Sequence, residues 1–366
     1  MSDMKYKYEW KLQETKFAKK KGKVFSCFAC GGGSTMGYKL AGFDVIGCNE
    51  IDPKMIEAYR KNHNPKYSYL EPIQSFKLRN DLPKELYELD ILDGSPPCSS
   101  FSMAGNREAD WGKEKNFREG QAKQILDTLF FDFIELGKKL QPKVIIAENV
   151  KGLLLGEAKK YVVKIYNAFN EAGYMVNHWL LDSSAMGVPQ RRQRVFFVAV
   201  RKDLEKYIQT EDIFGDKPYI NMQFTEKPIP YKQIEEEDGS SGRHIPAGLV
   251  EYWKKVKPGR ALSDAHEKGY CFQEFKLHPN KPLPTLRAGS NSYYHYNTPR
   301  RLHDIEIKRG GSFPLDYDFC GNPVIYLVGM SVPPVMTAKI ADRVAEYILD
   351  PIKEKQEKNR ANTGAI

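Results

Sequence analysis

The stretch Val24-Phe25-Ser26-Cys27-Phe28-Ala29-Cys30-Gly31-Gly32-Gly33 decides the fold. Its apolar first half predicts a buried strand at Val24 to Phe28, and its glycines predict a tight loop before a helix near Ser34 to Leu40. The same order then repeats, with a strand at Phe43 to Asn49 and a helix from about Pro53 to Asn62. Alternating strands and helices predict an α/β fold with a doubly wound, mostly parallel sheet.

Later segments continue this alternation. Short apolar runs predict strands at Leu89 to Leu92, Lys143 to Ala147 and Val195 to Val200. Apolar residues at helical spacing predict a helix from about Lys123 to Leu140, and another helix is expected near Ala158 to Ala172.

Cys98 follows one of these strands, in the run Asp93-Gly94-Ser95-Pro96-Pro97-Cys98. The two prolines prevent a helix from starting there, and α/β sheets carry their chemistry just beyond the carboxyl ends of their strands. We therefore expect the thiol at the edge of the sheet, followed by a loop rich in serine and glycine that could close over a ligand. A buried structural thiol is the alternative, because free cysteine is among the most buried residue types.

An acid and two arginines are expected at the same edge. Glu148 ends the predicted strand at Lys143 to Ala147, while Arg192 and Arg194 precede the strand at Val195 to Val200. At strand spacing, residues two apart point to one side. Together with Cys98 they predict an active site, although a surface ion pair and a solvated strand end are the alternatives for the individual residues.

The glycine loop predicts a site for a nucleoside-type cofactor rather than for a dinucleotide. Glycines at 31 and 33 would need a third at position 36 to bind a pyrophosphate, and that residue is Met36. Glu50, about 20 residues after the loop, ends the second strand and suits a ribose hydroxyl. A nucleoside-type cofactor without a pyrophosphate fits better, and a simple tight turn is the alternative.

The bulk properties favour a protein of the cytosol with a polyanionic partner. The net charge is +9, and residues 1–23 contribute eight lysines against three acids. No run is expected to be long and apolar enough to span a membrane, and the lysine-rich start has no apolar signal region. Cys27-x-x-Cys30 has no second pair at ligand spacing, so no metal is expected.

Several blocks together resemble the DNA cytosine-5 methyltransferases of bacterial or phage type. They occur in order between Val24 and Leu349, and the stretch from Arg201 to Asn280 has no match. The blocks are Phe28-Ala29-Cys30-Gly31-Gly32-Gly33, Pro96-Pro97-Cys98, Glu148-Asn149-Val150, Gln190 to Arg194, Ser312 to Tyr317, and Gly329 to Pro334.

The resemblance implies a mechanism on a cytosine flipped out of duplex DNA. Cys98 would attack carbon 6 as a thiolate, Glu148 would hold the ring nitrogen 3 and the amino edge, and Arg194 with Arg192 would orient the base. The methyl group would come from S-adenosylmethionine and pass to carbon 5. The resemblance further implies cofactor contacts from Phe28, Ala29, Gly32, Gly33, Glu50, Ile51, Pro97, Ser331 and Val332. It implies DNA contacts from Ser99, Ser102, Asn149, Gln190 and Arg287.

The chain departs from the family at several positions. The family usually has Asp where this chain has Ser26, Gly at Cys30, Asn at Met330 and Gln at Ser99, and Pro72 replaces an acid. These departures lie mainly at the cofactor end and motivate one alternative, a catalytically weak homologue that binds DNA as a regulator. A related RNA cytosine-5 methyltransferase is a second alternative.

We expect a basic N-terminal extension at 1–23, a catalytic and cofactor-binding domain at 24–200, and a smaller mixed or β-rich target-recognition domain at 201–310. A segment at 311–350 would return to the catalytic domain, and 351–366 would be a disordered tail. The expected partner is double-stranded DNA, with no membrane and no obligate protein partner. The chain is expected to be a monomer in the cytoplasm of a bacterial or phage-infected cell, associated with the nucleoid through DNA.

Overall fold

The computed structural model describes residues 5–97, 114–115, 124–125, 128–156, 158–211, 215–236, 244–271, 273–289 and 291–363. The chain divides into two compact units. The unit that we call the sheet unit contains Phe17–Leu181, Gln193–Gln223 and Thr337–Ile366. The second unit contains Met1–Lys16, Asp182–Arg192 and Phe224–Met336. Each unit is therefore assembled from three separate segments, whereas the sequence predicted a continuous recognition domain at 201–310 and a catalytic domain at 24–200 joined by a returning segment at 311–350.

The sheet unit is built on a seven-stranded sheet with the order β3-β2-β1-β4-β7-β9-β8, and β5 pairs with β6 in a separate ribbon. The strands are β1 (Lys23–Cys27), β2 (Asp44–Glu50), β3 (Tyr67–Leu70), β4 (Ile91–Gly94), β5 (Glu114–Lys115), β6 (Gln124–Ile125), β7 (Val144–Val150), β8 (Tyr174–Asp182) and β9 (Gln193–Arg201). The first helices are α1 (Gly33–Ala41), α2 (Pro53–His63), α3 (Ile73–Phe76), α4 (Leu129–Leu140) and α5 (Ala158–Glu171).

The direction of the parallel strands gives the sheet a carboxyl-terminal end, which we call the functional edge. β1 pairs in parallel with β2 and β4, and β4 pairs in parallel with β7. The chain leaves β1 on one side through β2 and β3 and returns to β4 on the other side, so β1 and β4 flank the switch point where α/β sheets bind ligands. The predicted doubly wound, mostly parallel sheet is confirmed. β9 is antiparallel to β7, with Val150 opposite Arg194.

Packing against α4 fixes the end of β4. Phe133 is fully buried, and a Cβ atom added to Gly94 would lie 2.6 Å from its ring. Burial of one phenylalanine contributes about 1.5–3 kcal/mol, so only glycine lets β4 pass under this ring without displacing it.

The structure differs from the sequence predictions at the start of one helix and at the C-terminal tail. The helix expected from about Lys123 begins at Leu129, because Gln124–Ile125 pairs as a strand with Glu114–Lys115. The tail expected to be disordered forms α10 (Asp350–Thr363), which continues from α9 (Pro334–Val344) through the π-helical turn Ala345–Leu349. The first turn of α10 is anchored by Ile352, which is fully buried.

The second unit has a small sheet and short helices. Its strands are β10 (Arg260–Ala261), β11 (Phe275–Lys276) and β12 (Tyr293–Tyr294), and its helices are α6 (Val250–Lys255), α7 (Asp304–Gly310) and α8 (Val324–Met330). One apolar cluster of this unit centres on Trp253, Leu262 and Tyr294. The small second sheet agrees with the predicted mixed domain, although most of the unit is irregular.

The N-terminal segment packs onto the second unit. The indole nitrogen of Trp10 donates to the carbonyl of Ser312 at 2.9 Å. The amides of Leu12 and Gln13 donate to the two carboxylate oxygens of Asp316 at 2.7 and 3.0 Å. Residues 5–16 are thus part of a folded unit and are not a free basic extension.

An ion pair is buried inside the second unit. The Nη1 atom of Arg300 lies 2.9 Å from Glu306, and their side chains are 5% and 0% exposed. The Glu306 carboxylate also accepts bonds from the hydroxyl of Tyr231 and from the amides of Glu236 and His303. These donors satisfy a charge that would otherwise be too costly to bury.

One stretch does contain an apolar window long enough to cross a membrane, although none was predicted. It lies in Val324–Asn362, and 78% of that window is buried inside the protein. Ser331 to Pro333 separate α8 from α9 within it. Such burial is typical of the core helices of soluble proteins.

Candidate active site

The loop after β1 has an unusual backbone. Phe28 and Cys30 have φ values of 52° and 49°, and Gly32 has a φ of 85°. The half-buried Phe28 packs its ring edge-to-face against Phe133, with 6.2 Å between ring centroids. Left-handed conformations at non-glycine residues are costly and cluster at functional sites, so this loop is a strong candidate for ligand binding.

A glycine is needed at position 32 because His63, a neighbour that the sequence did not reveal, leaves no room for a side chain. A Cβ atom at this position would lie 2.2 Å from Nε2 of His63, which is itself 3.3 Å from the carbonyl of Gly31. Burial, together with the nearby Lys39, lowers the pKa of His63 to about 3, so the imidazole is neutral at physiological pH. The glycine loop therefore rests on the last residue of α2.

Glu50 ends β2 beside this loop and holds its backbone. One carboxylate oxygen accepts from the amide of Cys30 at 2.7 Å, and the other accepts from the amides of Ile51 and Asp52 at 2.8 and 2.9 Å. Burial raises the pKa of Glu50, although these three amides oppose the shift. A carboxylate has about four acceptor positions, so within the described residues one remains for a hydroxyl donor. This remaining acceptor position fits a hydroxyl of the ribose of a nucleoside cofactor.

Glu148 and Arg194 meet at the functional edge of the sheet. The Nε atom of Arg194 lies 2.9 Å from Oε1 of Glu148, and the two side chains are 15% and 13% exposed. They meet because β9 runs antiparallel to β7, so that β9 begins where β7 ends. An accessible carboxylate and a guanidinium in one partly buried pair can bind the polar edge of a flat heterocycle.

Asn149 connects β7 to the loop after β4. Its side-chain amide donates to the carbonyl of Pro96 at 3.1 Å, and its side-chain oxygen accepts from the amide of Val150. The residue is 3% exposed, so the structure gives it a positioning contact where the sequence predicted a DNA contact. Pro97 is half-buried at the end of the described loop. Cys98, Ser99 and Ser102 lie outside the described residues.

Arg192 and Gln190 are buried within the second unit. Arg192 donates through Nη1 to the carbonyls of Leu286 and Gly329 at 3.3 and 2.9 Å. Gln190 donates to the carbonyl of Gly310 and accepts from the amide of Leu286. Both side chains bind main-chain groups, and the catalytic role predicted for Arg192 and the DNA contact predicted for Gln190 stay predictions. Arg192 also precedes β9, so strand spacing does not relate it to Arg194.

Three further predicted site residues lie in the second unit. The hydroxyl of Ser331 donates to the carbonyl of Leu327 at the end of α8, and Val332 is buried. The half-buried Arg287 donates to the carbonyl of Gln273 and to the hydroxyl of Tyr293. The predicted cofactor and DNA roles of these three residues stay predictions.

Sequence reasoning missed the polar residues beneath the loop. Asp93 accepts hydrogen bonds from Ser26 and Tyr38. The available signal was an acid directly after the strand predicted at Leu89 to Leu92; in the structure β4 extends through Asp93, at a position where an apolar residue is the rule. His63 gave no such signal, since its contact depends on how α2 packs against the loop.

Comparisons with known proteins identify the family of this chain. A sequence profile for the C-5 cytosine-specific DNA methylases matches residues 22–346. The type II methyltransferase M.Eco47II of Escherichia coli is 30% identical over 373 residues, covering 96% of this chain and 84% of that protein. The type II methyltransferase M.FnuDI of Fusobacterium nucleatum is 29% identical over 365 residues, covering 92% and 97%.

A solved structure supports the fold. A crystal structure of a DNA modification methyltransferase encoded within an E. coli prophage superposes with a TM-score of 0.63. The two chains share 22% sequence identity, and the superposition covers 89% of this chain and 99% of that one. At this identity the likeness concerns the fold alone.

Proposed function

Since the chain belongs to the C-5 cytosine-specific DNA methylase family, we propose that it methylates carbon 5 of a cytosine bound by Glu148 and Arg194. The family acts on DNA and uses S-adenosylmethionine. The observation that carries the proposal is the Glu148–Arg194 pair, which lies at the edge of the sheet where β4 leads toward Pro96, Pro97 and Cys98.

Each residue has a distinct task in this proposal. Cys98 adds as a thiolate to carbon 6, which makes carbon 5 nucleophilic. Glu148 binds ring nitrogen 3 and the amino group, and Arg194 offsets the charge that develops near the carbonyl. Asn149 holds Pro96 and so fixes the approach of the loop that carries the thiol. Once carbon 5 carries the methyl group, a base removes its proton, the double bond between carbons 5 and 6 re-forms, and Cys98 leaves carbon 6 as a thiolate.

The loop after β1 is the proposed cofactor site. Glu50 would accept a bond from a ribose hydroxyl, Phe28 and Ile51 would pack on the adenine, and the backbone at Gly32 and Gly33 would allow close approach. When bound, S-adenosylmethionine supplies an electrophilic methyl group. Glu50 also holds the amide of Cys30, so one carboxylate organises both the loop and its ligand.

The recognition of a DNA sequence is proposed for the second unit. Its stretch from Phe224 to Met336 contains most of the region predicted for target recognition, including Arg287. We further propose that the chain acts as a monomer in the cytoplasm, where duplex DNA is accessible. Sedimentation of the enzyme with and without a DNA duplex tests the oligomeric state.

The test is transfer of tritium from labelled S-adenosylmethionine to DNA, followed by bisulfite sequencing of DNA from cells that express the chain. Wild type is expected to label cytosine in DNA, and Cys98→Ala is expected to bind DNA without transferring a methyl group. Cys320→Ala, which alters another thiol, serves as the matched control and should retain activity. Full turnover by Cys98→Ala would refute the assigned nucleophile.

Two other outcomes would replace the proposed function. Labelling of RNA but not DNA would identify an RNA methyltransferase. If calorimetry detects no binding at millimolar S-adenosylmethionine, the chain is a DNA-binding regulator that has lost its cofactor site.

A further inference from the structure

A buried carboxyl group lies in the central strand β4, outside the residues assigned to catalysis. Asp93 is 4% exposed, and its partners Ser26 and Tyr38 are 1% and 0% exposed. The hydroxyl of Ser26 donates to Oδ2 at 2.7 Å, and the hydroxyl of Tyr38 donates to Oδ1 at 3.0 Å. An acid is costly to bury even with two such partners, so its presence here requires an explanation.

The three residues come from the elements that frame the cofactor loop. Ser26 and Asp93 are register partners in β1 and β4. Tyr38 belongs to α1, which the loop enters at Gly33. The Asp93 carboxyl group therefore joins both flanks of the loop Cys27 to Gly33 to the strand that leads toward Pro96.

We propose that Asp93, in its ionised form, is a positioning residue that holds the loop after β1 in the conformation that binds S-adenosylmethionine. This inference rests on the proposed function, which assigns the cofactor to that loop. An ionised carboxylate accepts both hydroxyl bonds at once. A protonated carboxyl group donates from one oxygen, so one of the two hydroxyls must turn to another acceptor.

The surroundings of Asp93 place this change of state near neutral pH. The hydroxyls of Ser26 from β1 and Tyr38 from α1 bind Asp93, and the carboxylate of Glu148 from β7 lies on the same face of the sheet. The thiol of Cys27 and the ring of Phe133 lie on the opposite face, in the apolar cluster that contains Leu92. Burial raises the pKa of Asp93 to about 7; the two hydroxyl bonds oppose this shift and Glu148 adds to it. The raised pKa of Cys27 keeps that thiol protonated.

The test is calorimetric binding of S-adenosylmethionine to the full-length chain at pH 6 and pH 8. If only the ionised form binds well, wild-type affinity should be about tenfold higher at pH 8 than at pH 6. Asp93→Asn mimics the neutral acid, so its affinity should lie below that of wild type at pH 6 and should not change with pH. Tyr38→Phe keeps the acid but removes one bond, so its affinity should be reduced at pH 8.

A swap variant tests the position of the carboxyl group. Ser26→Asp combined with Asp93→Ser moves the acid to the register partner on the adjacent strand, and we expect it to recover most of the affinity at pH 8. Thermal melting shows which variants fold; if Asp93→Asn does not, Tyr38→Phe and the swap carry the test.

Three results would overturn the inference: Asp93→Asn binds as tightly as wild type at pH 8, it keeps the wild-type pH profile, or the folded swap variant binds no better than Asp93→Asn. Failure of the proposed function differs from these, because wild type would then bind no S-adenosylmethionine at either pH.

Discussion

The Nε atom of Arg194 lies 2.9 Å from Oε1 of Glu148, although 45 residues separate them in the chain. The contact joins the end of β7 to the start of β9 at the edge that also receives the loop from β4. Because both side chains are largely shielded from water, the charge of each is stabilised mainly by the other. Under the proposed function, a cytosine that enters this site meets a preorganised acid and guanidinium.

Arg194→Ala should lower kcat by about 10²–10³-fold, because it removes a donor aimed at developing charge and leaves Glu148 uncompensated. The KM for DNA should change far less, since most DNA affinity comes from phosphate contacts elsewhere. Steady-state methyl transfer measures both parameters. Arg191→Ala is the control, because the Arg191 side chain is 69% exposed. Equal losses in the two variants would contradict a specific role for Arg194.

Asn149→Ala should reduce kcat by about tenfold, which corresponds to the loss of roughly one hydrogen bond to Pro96. DNA affinity should stay unchanged if the buried side chain acts only on the position of the loop. Single-turnover kinetics and DNA titration separate these effects. A loss of DNA affinity with normal kcat would instead support the DNA contact predicted from the sequence.

Gly32→Ala should weaken S-adenosylmethionine binding, because the new methyl group would collide with His63 and the φ of 85° is unfavourable for alanine. Gly173→Ala is a matched control, with a φ of 89° and no atom within 4 Å of the added Cβ. Calorimetric binding of S-adenosylmethionine to both variants compares an alanine that has a positive φ and collides with His63 with an alanine that has a positive φ alone. Identical affinities would show that the loop tolerates the displacement of His63.

Glu306→Gln should lower the free energy of unfolding by about 3–5 kcal/mol, because it leaves Arg300 buried without its counter-charge. Glu251→Gln removes an exposed ion pair to Lys254 and should change the free energy of unfolding far less, because solvent screens exposed ion pairs. Denaturant unfolding at pH 7 measures both changes. A loss for Glu306→Gln no larger than that of the control would contradict this role of the pair.

The same pair gives stability a defined pH dependence. Burial opposes ionisation of Glu306, but Arg300 and main-chain amides prevail and lower its pKa below the usual 4.5. A lowered pKa contributes stability that is present above pH 4.5 and is lost as the pH falls through the folded-state value. Wild type should therefore lose more stability than Glu306→Gln between pH 5 and pH 3.

The sheet and its active edge could be predicted because they depend on local patterns. Apolar runs identify the strands. Glu148 and Arg194 stand out because they are polar residues at the boundaries of such runs, and functional side chains of α/β sheets lie at strand ends. The predicted strand at Lys143 to Ala147 nevertheless stopped three residues early, since Glu148 and Asn149 are polar and still pair with β9.

Long-range polar contacts could not be predicted in this way. Gln190 and Arg192 carry side chains typical of binding sites, yet both are buried against main-chain carbonyls nearly 100 residues or more away in sequence. His63 and Asp93 matter because of the elements packed over them. Spacing along the chain contains no information about such partners.

The hydrogen bonds between the N-terminal segment and Asp316 affect how DNA-sequence specificity could be exchanged between related enzymes. The unit that contains the predicted recognition region includes residues from near the start of the chain, and Asp316 receives the amides of Leu12 and Gln13. A chimaera that exchanged only the stretch from Phe224 to Met336 would need a hydrogen-bond acceptor at position 316, so that the host's amides at positions 12 and 13 have a partner. Donor sequences with a carboxylate there should give soluble hybrids, and those without it should need the donor's own leading segment as well.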